Sequence, residues 1–262
     1  MSVQDRYGEV SVTRDGHVAV LEIDRPPYNH VSVELMRDLA DALDAIDGEI
    51  DLRAVVLCSA GKAFCAGADL VAPTGLAGSS GMTTINPLYV EAVRLYSTKK
   101  PIVIAVQGAA VGAGLGLALV GDFRVAAPEA RFTANFVKLG FHPGFGLTHT
   151  LPRLIGLNRA SLMFQTGRRL KGEEALAWGL VDEVVPLEDL RGAAMRLAKE
   201  IAENAPLAVQ ATRATLRAGL AAGVKAATDH ELLEQTELRK TADFAEGVRA
   251  VNERRAGVFT GR

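Results

Sequence analysis

The chain has 262 residues, 48% of them apolar and 23% charged, with a formal net charge of −2. That length supports one large domain or two small ones around a sizeable core. The nearly balanced charge gives no global field for gathering a polyanion and leaves no argument for nucleic-acid binding.

In chain order, residues 9–13 and 17–23 alternate in hydrophobicity around Asp15-Gly16 and read as a β-hairpin. Pro26-Pro27 breaks the chain. Ser32 then caps an expected helix from Val33 to about Ile46, with Leu35, Leu39, Leu43 and Ile46 on one face. Residues 54–59 read as a buried strand. Segment 72–81 is rich in glycine and serine and reads as a lid or a surface loop. Pro87 suits the first position of a helix to about Thr98. Residues 101–106 form the next expected strand, and 114–120 an apolar, buried helix. Short strands are expected at 122–126, 130–133 and 181–185, and helices at 147–155, 159–165 and 173–178. From Leu187 onward only helices are expected, over 187–204, 206–221, 225–241 and 243–253. The reading is an α/β core over 1–204 followed by a helical oligomerisation region over 205–262.

Cys58 and Cys65 read as buried thiols in a reducing compartment rather than as a disulfide or a nucleophile. The first residues lack the basic and apolar regions of a signal peptide. The apolar stretch around 115–120 is too short to span a bilayer, so no membrane association and a cytoplasmic location are expected. The cysteines and five histidines are scattered without metal-ligand spacing, so no metal is expected. No P-loop or nucleophile-elbow motif occurs, and no acidic residue stands where a dinucleotide-binding fingerprint requires it.

Two small-residue loops carry the chemistry. They are Lys62-Ala-Phe-Cys-Ala-Gly-Ala-Asp-Leu70 and Gln107-Gly-Ala-Ala-Val-Gly-Ala-Gly-Leu-Gly116. Each follows a β-branched run and leads toward an expected helix. Such turns expose backbone N–H groups with no side chain in the way, and a helix N-terminus adds partial positive charge. Two of them together can hold a developing oxyanion. Glycines that merely allow close packing of helix on strand are the bland alternative.

Together with Arg25-Pro-Pro-Tyr-Asn29, Leu139–Gly146 and Gly179-Leu-Val-Asp-Glu-Val-Val-Pro186, these loops closely resemble the crotonase superfamily of enoyl-CoA hydratases and isomerases. The resemblance runs over almost the whole chain. It implies a spiral of ββα turns with a C-terminal helical region, a homotrimer or dimer of trimers, and a coenzyme A thioester as substrate with no separate cofactor. It also implies that the backbone N–H groups of Ala68 and Ala113 bind the thioester oxygen. Ala66, Asp69 and Leu70 then line the CoA groove. Gly112, Gly116 and Phe136 border the acyl group, and Arg25 meets a CoA phosphate or is simply solvated.

The chain departs from the family at the two glutamates of its hydratases. The corresponding positions are Gly116 and Phe136, and neither can exchange a proton. His142, in Phe141-His-Pro-Gly-Phe-Gly146, is the expected replacement, because histidine titrates near neutral pH. A histidine bonded to backbone in a Pro-Gly turn is the plainer reading. His149 reads as structural, and Asp122 as a brace for the following strand. The resulting expectation is an acyl-CoA enzyme using an oxyanion hole without two-glutamate hydration. The alternative is a non-catalytic acyl-CoA binder on the same scaffold.

Overall fold

A computed structural model describes residues 2–68 and 85–262. The first hairpin forms where the Asp15-Gly16 turn puts it. β1 (Arg6–Tyr7) pairs with β2 (Val10–Asp15), and β2 pairs antiparallel with β3 (Val18–Ile23) in the register Asp15↔Val18. Helix α1 (Val33–Gly48) starts at Ser32, whose hydroxyl accepts from the Leu35 N–H at 3.1 Å. That satisfies one of the free donors of the first turn.

After α1 the chain winds through β4 (Ala54–Ser59), α2 (Pro87–Tyr96), β5 (Ile102–Val106), β6 (Ala109–Val111), α3 (Ala113–Ala118), β7 (Phe123–Ala126) and β8 (Arg131–Thr133). A 3-10 turn (Asn135–Leu139), α4 (Leu147–Ile155), α5 (Leu157–Thr166), β9 (Arg169–Lys171), α6 (Gly172–Trp178) and β10 (Glu183–Val184) follow. The main sheet has the order β1-β2-β3-β4-β5-β7-β10 and is parallel from β3 onward. A small second sheet, β6-β8-β9, was not expected from the sequence. β6 lies inside the glycine-rich loop, and β9 is a three-residue polar strand.

Side chains along the parallel strands alternate between two cores, as the pleat requires. Val56, Cys58, Val103, Ala105 and Val125 pack against Ala194 and Ala198 of α7 (Leu190–Ala202). Val55, Leu57, Ile102, Ile104 and Val106 face the larger core with Leu35, Leu39 and Leu95. Helices thus cover both faces of the sheet.

Three further helices complete the chain: α8 (Pro206–Leu216), α9 (Leu220–Leu238) and α10 (Ala242–Asn252). The expected helix over 206–221 ends sooner, because Gly219 takes a left-handed φ of +77° and α9 begins at Leu220. Asp122 ties α8 to the core. Its carboxylate accepts from the Ile102 N–H at 2.8 Å and from Arg213 and Arg217 at 2.9 and 3.1 Å. Helix α9 packs on α2 and α4, while α10 packs on the 3-10 turn at 135–139. Among the described residues, no helix is long and apolar enough to cross a membrane, and no cluster of three metal-ligating side chains occurs.

Candidate active site

The two small-residue loops are bound to each other by main chain. The Cys65 N–H donates to Ala109 O at 2.8 Å, and the Val111 N–H donates to Cys65 O at 3.0 Å. A Cβ at Gly114 would lie 2.1 Å from Cys65 O, and one at Gly67 would lie 2.7 Å from Val111 O. Gly67 also takes a φ of +93°. Only glycine meets both demands there.

This lattice sets the direction of two amides. Gly67 O accepts from the Val31 N–H and from His30 Nδ1, each at 3.0 Å. A trans peptide points its N–H opposite to its C=O, so the Ala68 N–H is turned away from Val31. Gly112 O accepts the helical bond from the Gly116 N–H at 3.1 Å. The Ala113 N–H is therefore directed out of the start of α3, where no intrahelical acceptor exists. Ala68 and Ala113 line one cavity of about 70 Å³.

The rest of that cavity is largely aromatic and aliphatic. Phe136, Phe141 and Phe145 border it, with Leu88, Leu139 and Val111. A Cβ at Gly116 would sit 2.5 Å from the Phe145 ring, so the ring occupies the space that a side chain at 116 would take. Phe145 holds this position with a φ of +64° and no exposure. Among the described residues, three polar ones line the cavity: Tyr89 from α2, Asn135 from the 3-10 turn and Gln235 from α9. A larger hollow of about 770 Å³ lies under α8 around Asp122, Arg213 and Arg217. Among the described residues it contains none of the expected site residues, and Asp122, Arg213 and Arg217 bond to one another and to backbone, as in Arg213–Asp122 and Arg217–Val120 O.

The structure brings together Ala66, Ala68, Gly112, Ala113 and Phe136 at the cavity, with Gly116 directly behind Phe145. Asp69, Leu70 and the segment 72–81 lie outside the described residues. Arg25 is not at the cavity. Its Nε is 3.3 Å from Glu9, and one guanidinium nitrogen donates to His30 O at 2.9 Å. Through His30 it supports the Gly67 carbonyl.

His142 is not brought to the cavity lining either. Its Nδ1 lies 2.8 Å from Pro143 O, and its ring stands edge-on to His230 at 6.1 Å between centroids. This is the backbone-bonded arrangement of a Pro-Gly turn. His149 Nε2 is buried and faces Gly223, and desolvation lowers that imidazole's pKa. Burial pushes the Cys65 thiol up to about 12, which leaves no thiolate for nucleophilic attack.

Tyr89, Gln235 and the buried Glu231 were not singled out by the sequence. Glu231 accepts from the Gly146 and Thr148 N–H groups at 2.7 and 3.0 Å, and so caps α4 from α9. These residues stand some 80 to 150 positions from their partners, and no local pattern marks them.

The model of the enoyl-CoA hydratase/isomerase family matches residues 13–262. The chain belongs to the enoyl-CoA hydratase/isomerase family. It is 39% identical over 236 residues to a probable enoyl-CoA hydratase of Mycobacterium tuberculosis, covering 89% of this chain and 91% of that protein. It is 35% identical over 253 residues to a 1,2-epoxyphenylacetyl-CoA isomerase of Escherichia coli, covering 94% and 95%. A crystal structure of carnitinyl-CoA hydratase from Mycobacterium avium superposes with a TM-score of 0.86 at 34% identity, covering 97% of this chain and 99% of that one. The crotonase fold and the C-terminal helical region expected from the sequence are thereby shown, as is acyl-CoA processing in the broad sense of the family.

Proposed function

We propose that the chain binds an acyl-CoA thioester with its carbonyl oxygen between the Ala68 and Ala113 N–H groups, and that these groups stabilise an enolate. Loss of an α-proton, or attack at the β-carbon, moves negative charge onto that oxygen. Fixed donors then bind the charged species more strongly than the neutral ester. One such donor is worth roughly 3 kcal/mol of barrier. The observation that carries this reading is the orientation of the two peptide planes, each set by a bond to its own carbonyl at the edge of one apolar cavity.

The reaction on this reading is not ordinary two-glutamate hydration. Gly116 and Phe136 supply no proton carrier, and the rings of Phe145 and Phe136 fill the space where one would hold water. Isomerisation, lyase chemistry and thioester hydrolysis remain open to an enolate-stabilising site.

The test is to incubate the purified protein with enoyl-, 3-hydroxyacyl- and aromatic-CoA thioesters and to identify products by mass spectrometry. Turnover of at least one ester with slow hydration of crotonyl-CoA is expected. Rapid crotonyl-CoA hydration overturns the reading of positions 116 and 136. Binding without any turnover favours the non-catalytic scaffold. His142→Ala is expected to leave turnover within a few-fold, since its ring lies off the cavity. We further propose a trimer or dimer of trimers built through 205–262, because Leu207, Leu216 and Leu233 are exposed on α8 and α9. Sedimentation of the full chain checks this.

A further inference from the structure

The loop that carries Ala68 rests on a built platform. Residues 28–31 run parallel to residues 66–68, with the Ala66 N–H on Tyr28 O and the Val31 N–H on Gly67 O, both at 3.0 Å. Asn29 anchors that platform. It is fully buried, and its Nδ2 donates to Ala60 O and Ala63 O, each at 2.8 Å. Its Oδ1 accepts from the Arg25 N–H at 3.0 Å, and Arg25 Nη1 donates to His30 O at 2.9 Å. The main chain around residue 30 is thus fixed, and the half-buried His30 ring meets the first loop.

The bond it makes there has only one consistent direction. His30 Nδ1 lies 3.0 Å from Gly67 O. A carbonyl oxygen only accepts, so Nδ1 carries the proton and donates. In the neutral ring the lone pair is then on Nε2. Gly67 O therefore receives two donors, the Val31 N–H and the His30 ring. The first depends on no side chain. The second exists only because residue 30 is a histidine.

Gly67 O and the Ala68 N–H belong to one peptide plane and point in opposite directions. A donor on the carbonyl draws electron density toward oxygen and makes the N–H a stronger donor in turn, by about 10–30% per bond. It also resists rotation of the plane. Glycine at 67 supplies little resistance of its own, since glycine accepts both signs of φ.

We propose that His30 is a positioning residue of the oxyanion site, whose Nδ1–H polarises and locks the Gly67–Ala68 peptide so that the Ala68 N–H binds a charged thioester oxygen more strongly. This rests on the thioester-binding reading above and adds a control on the strength of one donor. The effect reaches the substrate through the peptide, without contact from the ring. It grows with the charge on the oxygen, so it falls on the chemical step more than on binding of the neutral ester. The competing account is that the ring only fills space beside Tyr28, with 5.5 Å between ring centroids.

Two substitutions separate these accounts. His30→Phe keeps a ring and removes the donor. His30→Asn removes the ring and returns an N–H donor near the place of Nδ1. The probe is butyryl-CoA, isotopically labelled at the thioester carbonyl and bound to the full chain, with its C=O stretch read by infrared difference spectroscopy. The wild type is expected to lower the stretch relative to the free ester, because the two N–H groups draw on the oxygen. His30→Phe is expected to lose part of that shift, and His30→Asn to keep it. Where an ester turns over, His30→Phe is expected to lower kcat about fivefold with KM within about twofold, and His30→Asn to restore kcat.

A shift and a kcat that His30→Phe retains, or that His30→Asn loses as fully as His30→Phe does, overturn the proposal. If His30→Phe does not fold, His30→Ala serves as the chain without a donor and is compared with His30→Asn in the same way. If butyryl-CoA does not bind, or the wild type leaves its carbonyl stretch unshifted, the thioester reading falls and this proposal falls with it. If the wild type shifts the stretch and every variant matches it, only this proposal falls.

Discussion

The cavity has two walls of opposite construction. One is main chain: the loops around Ala68 and Ala113, locked to each other by the Cys65–Ala109 and Val111–Cys65 hydrogen bonds and closed to side chains at Gly67 and Gly114. The other is side chain: Phe136, Phe141, Phe145, Tyr89 and Gln235, brought in from the 3-10 turn, α2, α9 and the segment before α4. The main-chain wall depends on size, because any added atom meets backbone that cannot rotate away. The side-chain wall depends on identity and shape, and can be repacked. On the proposed function, the first holds the charge that forms on the thioester oxygen. On the same reading, the second borders the acyl part of the substrate.

Substitutions can break that contrast. The largest effect is expected from Gly114→Val, whose Cβ meets the Cys65 carbonyl. A loss of about 3 kcal/mol or more is expected from overpacking against backbone, read by chemical denaturation. Phe136→Leu on the opposite wall, by comparison, should cost about 1 kcal/mol. If the two losses are equal, the distinction between the walls fails.

Gly67→Ala is expected next. Its φ of +93° and its proximity to Val111 O force the following peptide to turn. The Ala68 N–H is then misdirected, and a loss of roughly 100-fold in kcat/KM is expected with the best ester found. Thioester turnover left intact would show that Ala68 is not a donor.

A smaller effect sharpens the side-chain wall. Gly116→Ala should destabilise the chain through contact with the Phe145 ring, and Phe145→Leu in the same chain should relieve part of that cost. A coupling of about 1 kcal/mol is expected from the double-mutant cycle. Strict additivity would mean that the ring does not occupy the place of the missing side chain.

The smallest effect is on pH dependence. Burial raises the pKa of Glu231 above its ordinary 4.5, against the pull of its Thr148 and Gly146 hydrogen bonds. The folded chain thus holds this proton more tightly than the unfolded one. Its contribution to stability is full below pH 4.5 and is lost as pH rises through the higher folded value. Glu231→Gln should flatten the slope of stability against pH over that window, as measured by denaturation midpoints. An unchanged slope would place the titration elsewhere.

The same contrast governs how much of the molecule was legible in its sequence. Local signals worked where structure is local: Asp15-Gly16 for the hairpin, Ser32 and Pro87 for the helix starts, and the apolar runs for the strands. The close approach of the two loops was readable from their glycines and alanines, whereas Ala68 and Ala113 were singled out only by the resemblance to the family. β6 escaped because it lies inside the glycine-rich loop, and β9 because Arg-Leu-Lys has one apolar residue between two charged ones. His142 was expected at the site from its residue type and its place in the Phe141–Gly146 loop of the family; in that loop it is Phe145, with a positive φ that no propensity signals, that lines the cavity. Tyr89 and Gln235 meet across 146 positions. Such a pairing is set by how α9 lies on α2, which periodicity does not fix.

Helix α9 has one more property. Glu231 and Gln235 are four residues apart and therefore share one face; one caps α4 and the other orients the phenol of Tyr89. Leu233, between them in sequence, points outward and is exposed. One face of the helix therefore borders the cavity while the opposite face lies at the surface. One turn of α9 thus fixes both the start of α4 and the polar end of the cavity, so the two are set by a single rigid element.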